Sequence, residues 1–241
     1  MCVISGNVVF MPKLSIIIPA HNEEKYLENT LQSIQQQDFP EYETIIVCNG
    51  CTDNTELLAR KLANGKTKVI SFAEANVSKA RNIGAQKAEG ELLMFLDADT
   101  QLESSALSKV AESFTSEHAV ATTKVKPDLL SLKYNLAMGL KNFYNSAGLY
   151  HGCSGALICR KEDFDQVDGY DHKIIVREHR KLTQKLKKHT GKRFTCVDTY
   201  VTTSMRRFEN WGLTKAAFFW VGQWMKDNFG DLSKSDYEKV R

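Results

Sequence analysis

Two carboxylates stand two residues apart, Asp97 and Asp99, at the end of the stretch Leu-Leu-Met-Phe-Leu-Asp-Ala-Asp-Thr-Gln. Carboxylate oxygens are hard ligands suited to Mg²⁺ or Mn²⁺, ions that commonly take one or two carboxylates and complete their shell with substrate phosphates. A lone D-x-D is also frequent in surface turns, but the apolar run before this one leaves both carboxylates at the rim of a sheet, which favours the metal role. Cys48 and Cys51 form a second grouping, C-x-x-C in Val-Cys-Asn-Gly-Cys-Thr-Asp-Asn-Thr. No second Cys/His pair shows zinc-site spacing. A redox pair belongs at a helix N-terminus, and Cys51 stands close to the start of one. A third grouping is Arg206-Arg207, placed to meet a donor diphosphate or a phosphate on an acceptor, though a surface pair reads equally well.

The elements that would position these residues alternate. Lys13 to Pro19 reads as a buried parallel strand, Tyr26 to Ile34 as a helix, Thr44 to Val47 as a strand and Asn54 to Leu62 as a helix. Lys68 to Ser71, Val77 to Ala88 and Glu91 to Leu96 continue as strand, helix, strand. Such alternation predicts an α/β fold with a mainly parallel central sheet and helices on both faces, its ligands bound beyond the carboxyl ends of the strands. The second half is less regular. Helices are expected over Ala106 to Phe114, Asp128 to Tyr150 and Glu178 to Lys188, and strands over Ala119 to Val125, Ala156 to Cys159, Arg193 to Val197 and Tyr200 to Met205. An aromatic tail runs from Thr214 to Phe229.

With 42% hydrophobic and 25% charged residues, the 241-residue chain has the composition of a soluble globular protein, and a net charge of +3 does not suggest a nucleic-acid binder. The positive charge is uneven: Lys173 to Arg193 is rich in Lys and Arg, either a solvated helix face or an attractor of phosphates or anionic membranes. Met1 to Met11 is a poor signal peptide, no run is long enough to span a bilayer, and the six cysteines fit reduced thiols in the cytoplasm.

Four ordered motifs, LSIIIPAHNEE, NGCTDNT, NVSKARNIGAQKA and LLMFLDADTQ, resemble the nucleotide-binding half of the family 2 glycosyltransferases, which have the GT-A fold. The D-A-D-x-Q form of Asp97, Asp99 and Gln101 is similar to that of polyprenyl-phosphate sugar synthases. The resemblance implies one GT-A catalytic domain over 1–241, with a donor half (13–101), an acceptor half (102–212) and a C-terminal helix (213–241) suited to a core or a membrane interface. It implies transfer of a sugar from a nucleotide-diphosphate sugar, with inversion, to an acceptor such as a polyprenyl phosphate or other lipid. The site would then lie at the inner face of the cell membrane.

By the same resemblance Pro19, Ala20 and Glu23 line the nucleoside site. Asn49 and Asp53 belong to the base loop, Lys79 and Arg81 assist with base or diphosphate, and Asp97 and Ala98 sit near the ribose. Asp97, Asp99 and Gln101 hold Mg²⁺ or Mn²⁺. Cys48 and Cys51 stand where the family usually has Asp and Ser, which leaves Asn49 as the base acceptor. His151 to Ala156, including Gly155, looks like the acceptor-side segment, joined there by Arg206 and Arg207. Glu178-His179-Arg180-Lys181-Leu182 matches the family's E-D-x-x-L except for His in place of Asp. The base is therefore Glu178 or His179, or an ionised lipid phosphate needs none. Two rival readings are a nucleotide-sugar-binding or scaffold protein without turnover, and a nucleotidyltransferase. The latter should carry a Gly-rich basic loop after the first strand, where this chain has Pro19-Ala20-His21-Asn22.

Overall fold

The structure, a computed structural model, describes residues 3–4, 7–8, 12–148, 153, 155–174 and 176–229. His151, Gly152 and Ser154 of the expected acceptor segment, and 230–241 of the expected C-terminal helix, lie outside them.

β1 (Val3–Ile4) and β2 (Asn7–Val8) form a short antiparallel pair. The alternating block follows as β3 (Leu14–Ala20), α1 (Leu27–Gln35), β4 (Tyr42–Asn49), α2 (Thr55–Leu62), β5 (Thr67–Phe72), α3 (Val77–Lys87) and β6 (Leu92–Phe95). Every residue of β3 and β4 is buried, because helices cover both faces of the sheet. Leu14, Ile16 and Ile18 pack with Leu27, Leu31 and Ile34 of α1, whereas Ile17 packs with Ala80 and Ala85 of α3. This is the two-residue alternation of a strand with both sides dry. Gly84 lets α3 approach that closely: a Cβ there would lie 2.4 Å from Cγ2 of Ile17.

After β6 come β7 (Thr100–Leu102), α4 (Ala106–Ser113), β8 (His118–Pro127), α5 (Leu132–Ser146), β9 (Leu157–Arg160), α6 (Lys161–Gln166), α7 (Glu178–Thr190), β10 (Arg193–Thr203) and α8 (Arg206–Phe229), which is interrupted by a non-helical Gly212. The main sheet has eight strands in the order β5-β4-β3-β6-β9-β8-β10-β7. β5, β4, β3 and β6 pair in parallel, as do β8 and β10; β9 and β7 run antiparallel to their neighbours. The two strands expected over Arg193 to Val197 and Tyr200 to Met205 are one strand, β10, with a register irregularity between Val197 and Tyr200.

Two features of this topology build the site. The D-x-D leaves β6 at its carboxyl end, with the Leu96 N–H still bonded to the Ile17 carbonyl at 3.0 Å. The chain then enters β7, whose pairing of Thr100 with Thr203 on β10 brings the start of α8 back beside the D-x-D. No described helix is long and apolar enough to cross a membrane.

Candidate active site

The loops after β3 and β4 are tied to each other. Asn22 Oδ1 accepts the Thr52 N–H at 2.8 Å, the Glu23 N–H donates to Thr55 Oγ1 at 2.7 Å, and Asp53 accepts from the Thr55 N–H at 2.9 Å and the Glu24 N–H at 3.3 Å. Asn22 adopts a left-handed backbone (φ 55°), a conformation that asparagine tolerates better than most residues. Asn49 is buried, and in the amide orientation that satisfies both ends its nitrogen donates to the Ala20 carbonyl at 3.0 Å while its oxygen accepts the Asn76 N–H at 3.2 Å. Asn49 and Asp53 thus brace the loops in this conformation. Gly50 (φ 60°) completes the turn, since a Cβ there would sit 2.8 Å from the Ala75 nitrogen.

The thiols of Cys48 and Cys51 are free. Burial pushes Cys48 up to about 12 and Cys51 above its ordinary value, so both stay protonated at neutral pH. Cys51 Sγ donates to the Ala20 carbonyl at 3.3 Å.

Arg81 reaches the D-x-D because α3 is fastened at its start. The Asn76 side chain caps it by accepting the Lys79 N–H, Ser78 Oγ donates to the Ile174 carbonyl at 2.8 Å, and Asn82 exchanges two hydrogen bonds with the Tyr170 backbone. The buried guanidinium then donates to Asp97 Oδ1 and to Glu178 Oε1, each at 2.8 Å. Lys79, two residues earlier and therefore on another face, pairs with exposed Glu74 at 2.6 Å instead. Glu178 opens α7 directly after Arg177, a non-glycine residue in left-handed backbone (φ 64°), the kind of local strain that recurs at functional sites.

Arg206 stands beside Asp99 as Arg81 stands beside Asp97. Its guanidinium holds buried Glu23 through both nitrogens, at 2.7 and 2.8 Å, lies 3.0 Å from Asp99 Oδ2, and stacks 4.5 Å from the Tyr26 ring. Arg207 lies 5.8 Å from the Trp211 ring, and its charge adds to the lowering of the Asp97 carboxyl. The sequence could not separate these neighbours; the entry of α8 from β10 does.

The two aspartates respond differently. The protein packed around Asp97 opposes its ionisation although its side chain is half exposed, and the Arg81 guanidinium outweighs this and holds the carboxyl below its ordinary value. Asp99 is pushed up to about 6, first by enclosure and then by the charge of Asp97, with Arg206 opposing and Glu23 adding to the rise. That is the signature of a carboxylate crowded by other acids and short of positive charge. Among the described residues no cluster of three or more His, Cys, Asp or Glu side chains forms a ready metal cage. The carboxylates of Asp97 and Asp99 are hard oxygen donors of the kind that Mg²⁺ and Mn²⁺ take, one or two at a time, beside phosphate oxygens. Gln101 is exposed at the middle of β7, between buried Thr100 and Leu102.

His179 follows Glu178. Its Nδ1 lies 2.8 Å from the hydroxyl of buried Tyr170, whose ring packs edge-on against Phe95. Burial, and then Arg81, hold the imidazole well below its ordinary value, against the pull of Asp97. Tyr170 is held well above its own, chiefly by burial, so the phenol keeps its proton. Sequence reasoning gave Tyr170 no part. It also missed Lys141 of α5, whose charge reaches Asp97 and which burial holds below its ordinary value.

Of the remaining expected residues, Pro19, Ala20 and Ala98 are buried at strand ends and offer the site backbone rather than side chains. Gly155 is a packing point between β8 and β10, where a Cβ would stand 2.3 Å from Val201 and 2.4 Å from Thr123. The structure thus brings together Glu23, Arg81, Asp97, Asp99, Glu178, His179 and Arg206, with the charge of Arg207 reaching Asp97, and pairs Lys79 with Glu74 instead.

Part of the chain is similar in sequence to known glycosyltransferases. Poly(ribitol-phosphate) beta-N-acetylglucosaminyltransferase TarS of Staphylococcus aureus is 37% identical over 113 residues, 45% of this chain and 20% of TarS. GalNAc(5)-diNAcBac-PP-undecaprenol beta-1,3-glucosyltransferase of Campylobacter jejuni is 34% identical over 113 residues, 45% of this chain and 37% of that enzyme. The chain thus spans well under half the length of these relatives. Among solved structures, S. aureus TarS 1–349 in complex with UDP-GlcNAc superposes with a TM-score of 0.65 at 21% identity, covering 94% of this chain and 68% of that one. A mannosyltransferase from Pyrobaculum calidifontis in complex with GDP-Man and Mn²⁺ gives 0.66 at 17% identity, over 79% and 56%. These likenesses establish the GT-A architecture that the motifs led us to expect. The pattern of glycosyl transferase family 2 matches residues 15–208, and the chain belongs to that family.

Proposed function

We propose that the protein transfers a sugar from a nucleotide-diphosphate sugar to an acceptor, by direct displacement with inversion. The observation that carries this reading is the pairing of Asp97 and Asp99 with Arg81 and Arg206 beyond the carboxyl ends of β3, β4 and β6. It sets hard oxygen ligands and fixed positive charge where a diphosphate would lie. Asp99 and Asp97 would hold Mg²⁺ or Mn²⁺, with Gln101 in reach of the same rim; the bound ion would offset the charge that builds on the departing nucleoside diphosphate. Arg206, already fitted bidentately to a carboxylate, suits a phosphate by the same geometry.

Glu178 is engaged with Arg81, so its role is to position that guanidinium. His179 is the proton acceptor. When its Nδ1–H donates to Tyr170, Nε2 keeps its lone pair. The acceptor hydroxyl proton passes to Nε2 as oxygen bonds to the sugar carbon and the sugar–phosphate bond breaks. The named relatives act on a phosphate polymer and an undecaprenol-linked glycan, and a lipid-linked acceptor is the class we favour here, met at the inner face of the cell membrane. Pro19, Ala20, Asn49, Asp53, Lys79 and Ala98 would shape the nucleoside end of the site; Gly155 and Arg207 would border the acceptor.

The test is transfer from a panel of radiolabelled nucleotide sugars to lipid-phosphate and glycan acceptors. Wild type should turn over with Mn²⁺ or Mg²⁺, and Asp99→Ala should lose transfer while melting cooperatively. Donor binding without transfer to any acceptor, water included, would favour a binding protein instead.

A further inference from the structure

α7 concentrates the positive charge of the chain. Its 13 residues hold Arg180, Lys181, Lys185, Lys187 and Lys188 against one acid, Glu178, while the whole chain has a net charge of only +3. The helix dipole favours cations near a helix C-terminus, which accounts for Lys187 and Lys188 in the last turn. Lys181 and Lys185 stand before that turn, and as cations four residues apart on one face they repel each other. An anion between them would remove that cost.

The same face of α7 is one wall of a groove. A cavity of about 240 Å³ lies between the helix and the segment 169–174, with Glu178 at one end and Lys181, Lys185 and Lys188 following at spacings of three, four and three residues. The opposite wall is fixed to α3, by Ser78 on the Ile174 carbonyl and by Asn82 on the Tyr170 backbone. Lys185 Nζ reaches across to the Gly169 carbonyl at 3.3 Å. Of the two acids on the groove, Glu178 is turned to Arg81, 2.8 Å away, which leaves Asp171 against three lysines.

The shape narrows the choice of anion. Seven residues of helix, Lys181 to Lys188, rise roughly 10 Å, longer than a single phosphate. A bilayer is flat and takes apolar side chains that project beyond the lysines, whereas the apolar lining here is withdrawn: Leu182 is buried and Ile174 half-buried, with Lys185 and Lys188 exposed. A chain of phosphates fits a walled groove better than a membrane does. The groove also begins at the residue before His179, so a chain whose hydroxyl meets that imidazole would continue along α7.

We propose that this groove binds the phosphate groups of an anionic acceptor chain, with Lys181, Lys185 and Lys188 meeting successive phosphates beyond the hydroxyl that receives the sugar. The acceptor role rests on the transferase reading; the anion site does not.

Linear inorganic polyphosphate, which carries phosphates without sugar or lipid, is the probe. It is titrated by calorimetry into wild type, K181Q/K185Q/K188Q, and a control, K13Q/K61Q/K87Q, that removes the same charge from exposed lysines elsewhere. Wild type should bind, more weakly as salt rises; the groove variant should bind at least about tenfold more weakly, and the control within about twofold of wild type. Both variants should melt at or above the wild-type temperature. Wild type that binds no polyphosphate, or a control that loses as much as the groove variant, overturns the proposal. So does binding to phosphatidylglycerol vesicles that the groove variant loses while its polyphosphate binding is unchanged, which would make a bilayer the occupant. In transfer assays the groove variant should raise KM for a phosphate-bearing acceptor. A soluble phosphodiester oligomer and a prenyl-diphosphate-linked glycan, assayed side by side, tell a polymer source from a lipid one, and an unchanged KM for both overturns the acceptor role. Should the donor reading fail, nucleotide sugars would shift the melt of none of the three proteins, and the polyphosphate comparison would still decide the anion site.

Discussion

Arg206 joins Glu23 to Asp99, bidentate on the first at 2.7 and 2.8 Å and 3.0 Å from the second. Glu23 and Asp99 come from loops at the ends of β3 and β6, so one guanidinium ties the start of α8 to both loops. Arg206→Ala removes both ion pairs in a largely enclosed setting and should cost about 2 kcal/mol or more of stability in urea unfolding. It should also weaken nucleotide-diphosphate binding, whereas Arg207→Ala should change both little. Equal effects of the two substitutions would contradict the distinction.

Glu178 and His179 should separate by the kind of defect they cause. Glu178→Gln loosens Arg81 and should lower Tm and raise KM. His179→Ala should leave Tm close to wild type and lower kcat by about a hundredfold or more, the range for loss of general base catalysis. Tyr170→Phe should lower kcat less, since it only releases the imidazole. A Glu178→Gln variant with normal stability and KM but abolished kcat would make Glu178 the base.

The depressed pKa of His179 fixes the pH profile. Its neutral, proton-accepting form persists at every pH above a value that lies below 6.5, so kcat should be level through neutral pH and fall only on the acid side. Between that value and 6.5 the unfolded chain binds a proton that the folded chain does not. The histidine's contribution to stability is therefore lost as pH falls below about 6.5. His179→Gln should flatten that part of a Tm-against-pH series.

Asp99 has the opposite sign. Its folded pKa of about 6 exceeds the ordinary 3.8, so the folded chain holds a proton that the unfolded chain releases, and stability is lost as pH rises from about 4 to 6. Asp99→Asn should therefore raise the unfolding free energy of the protein in chelator at pH 7.5 by on the order of 1–3 kcal/mol, less the lost Arg206 contact, and raise its Tm accordingly. It should also abolish any Mn²⁺-induced rise in Tm. A Tm that falls in chelator would show that Asp99 is not crowded by Asp97 and Glu23.

The first hundred residues were legible because each buried strand is an unbroken apolar run and each helix a 3.6-residue pattern; β3 through β6 fell within two residues of expectation. β7 was missed because three residues, Thr100 to Leu102, carry no period of their own and are a strand only by pairing with β10. The D-x-D was visible from type and spacing. Its partners were not: Arg81 reads as one more cation on an amphipathic helix, and Arg206 differs from Arg207 only by where α8 begins. Asn49 was read as the acceptor for the donor's base, and in the structure long-range contacts with Ala20 and Asn76 engage its amide.

Calorimetric titration of nucleotide sugars into wild type and Asp99→Asn, with and without Mn²⁺, tests the donor site most directly. The account predicts binding of one nucleotide sugar that tightens at least about tenfold with Mn²⁺ in wild type, and loss of that cation dependence in Asp99→Asn. Equal binding with and without the cation in wild type, or a cation effect that survives in Asp99→Asn, would contradict it.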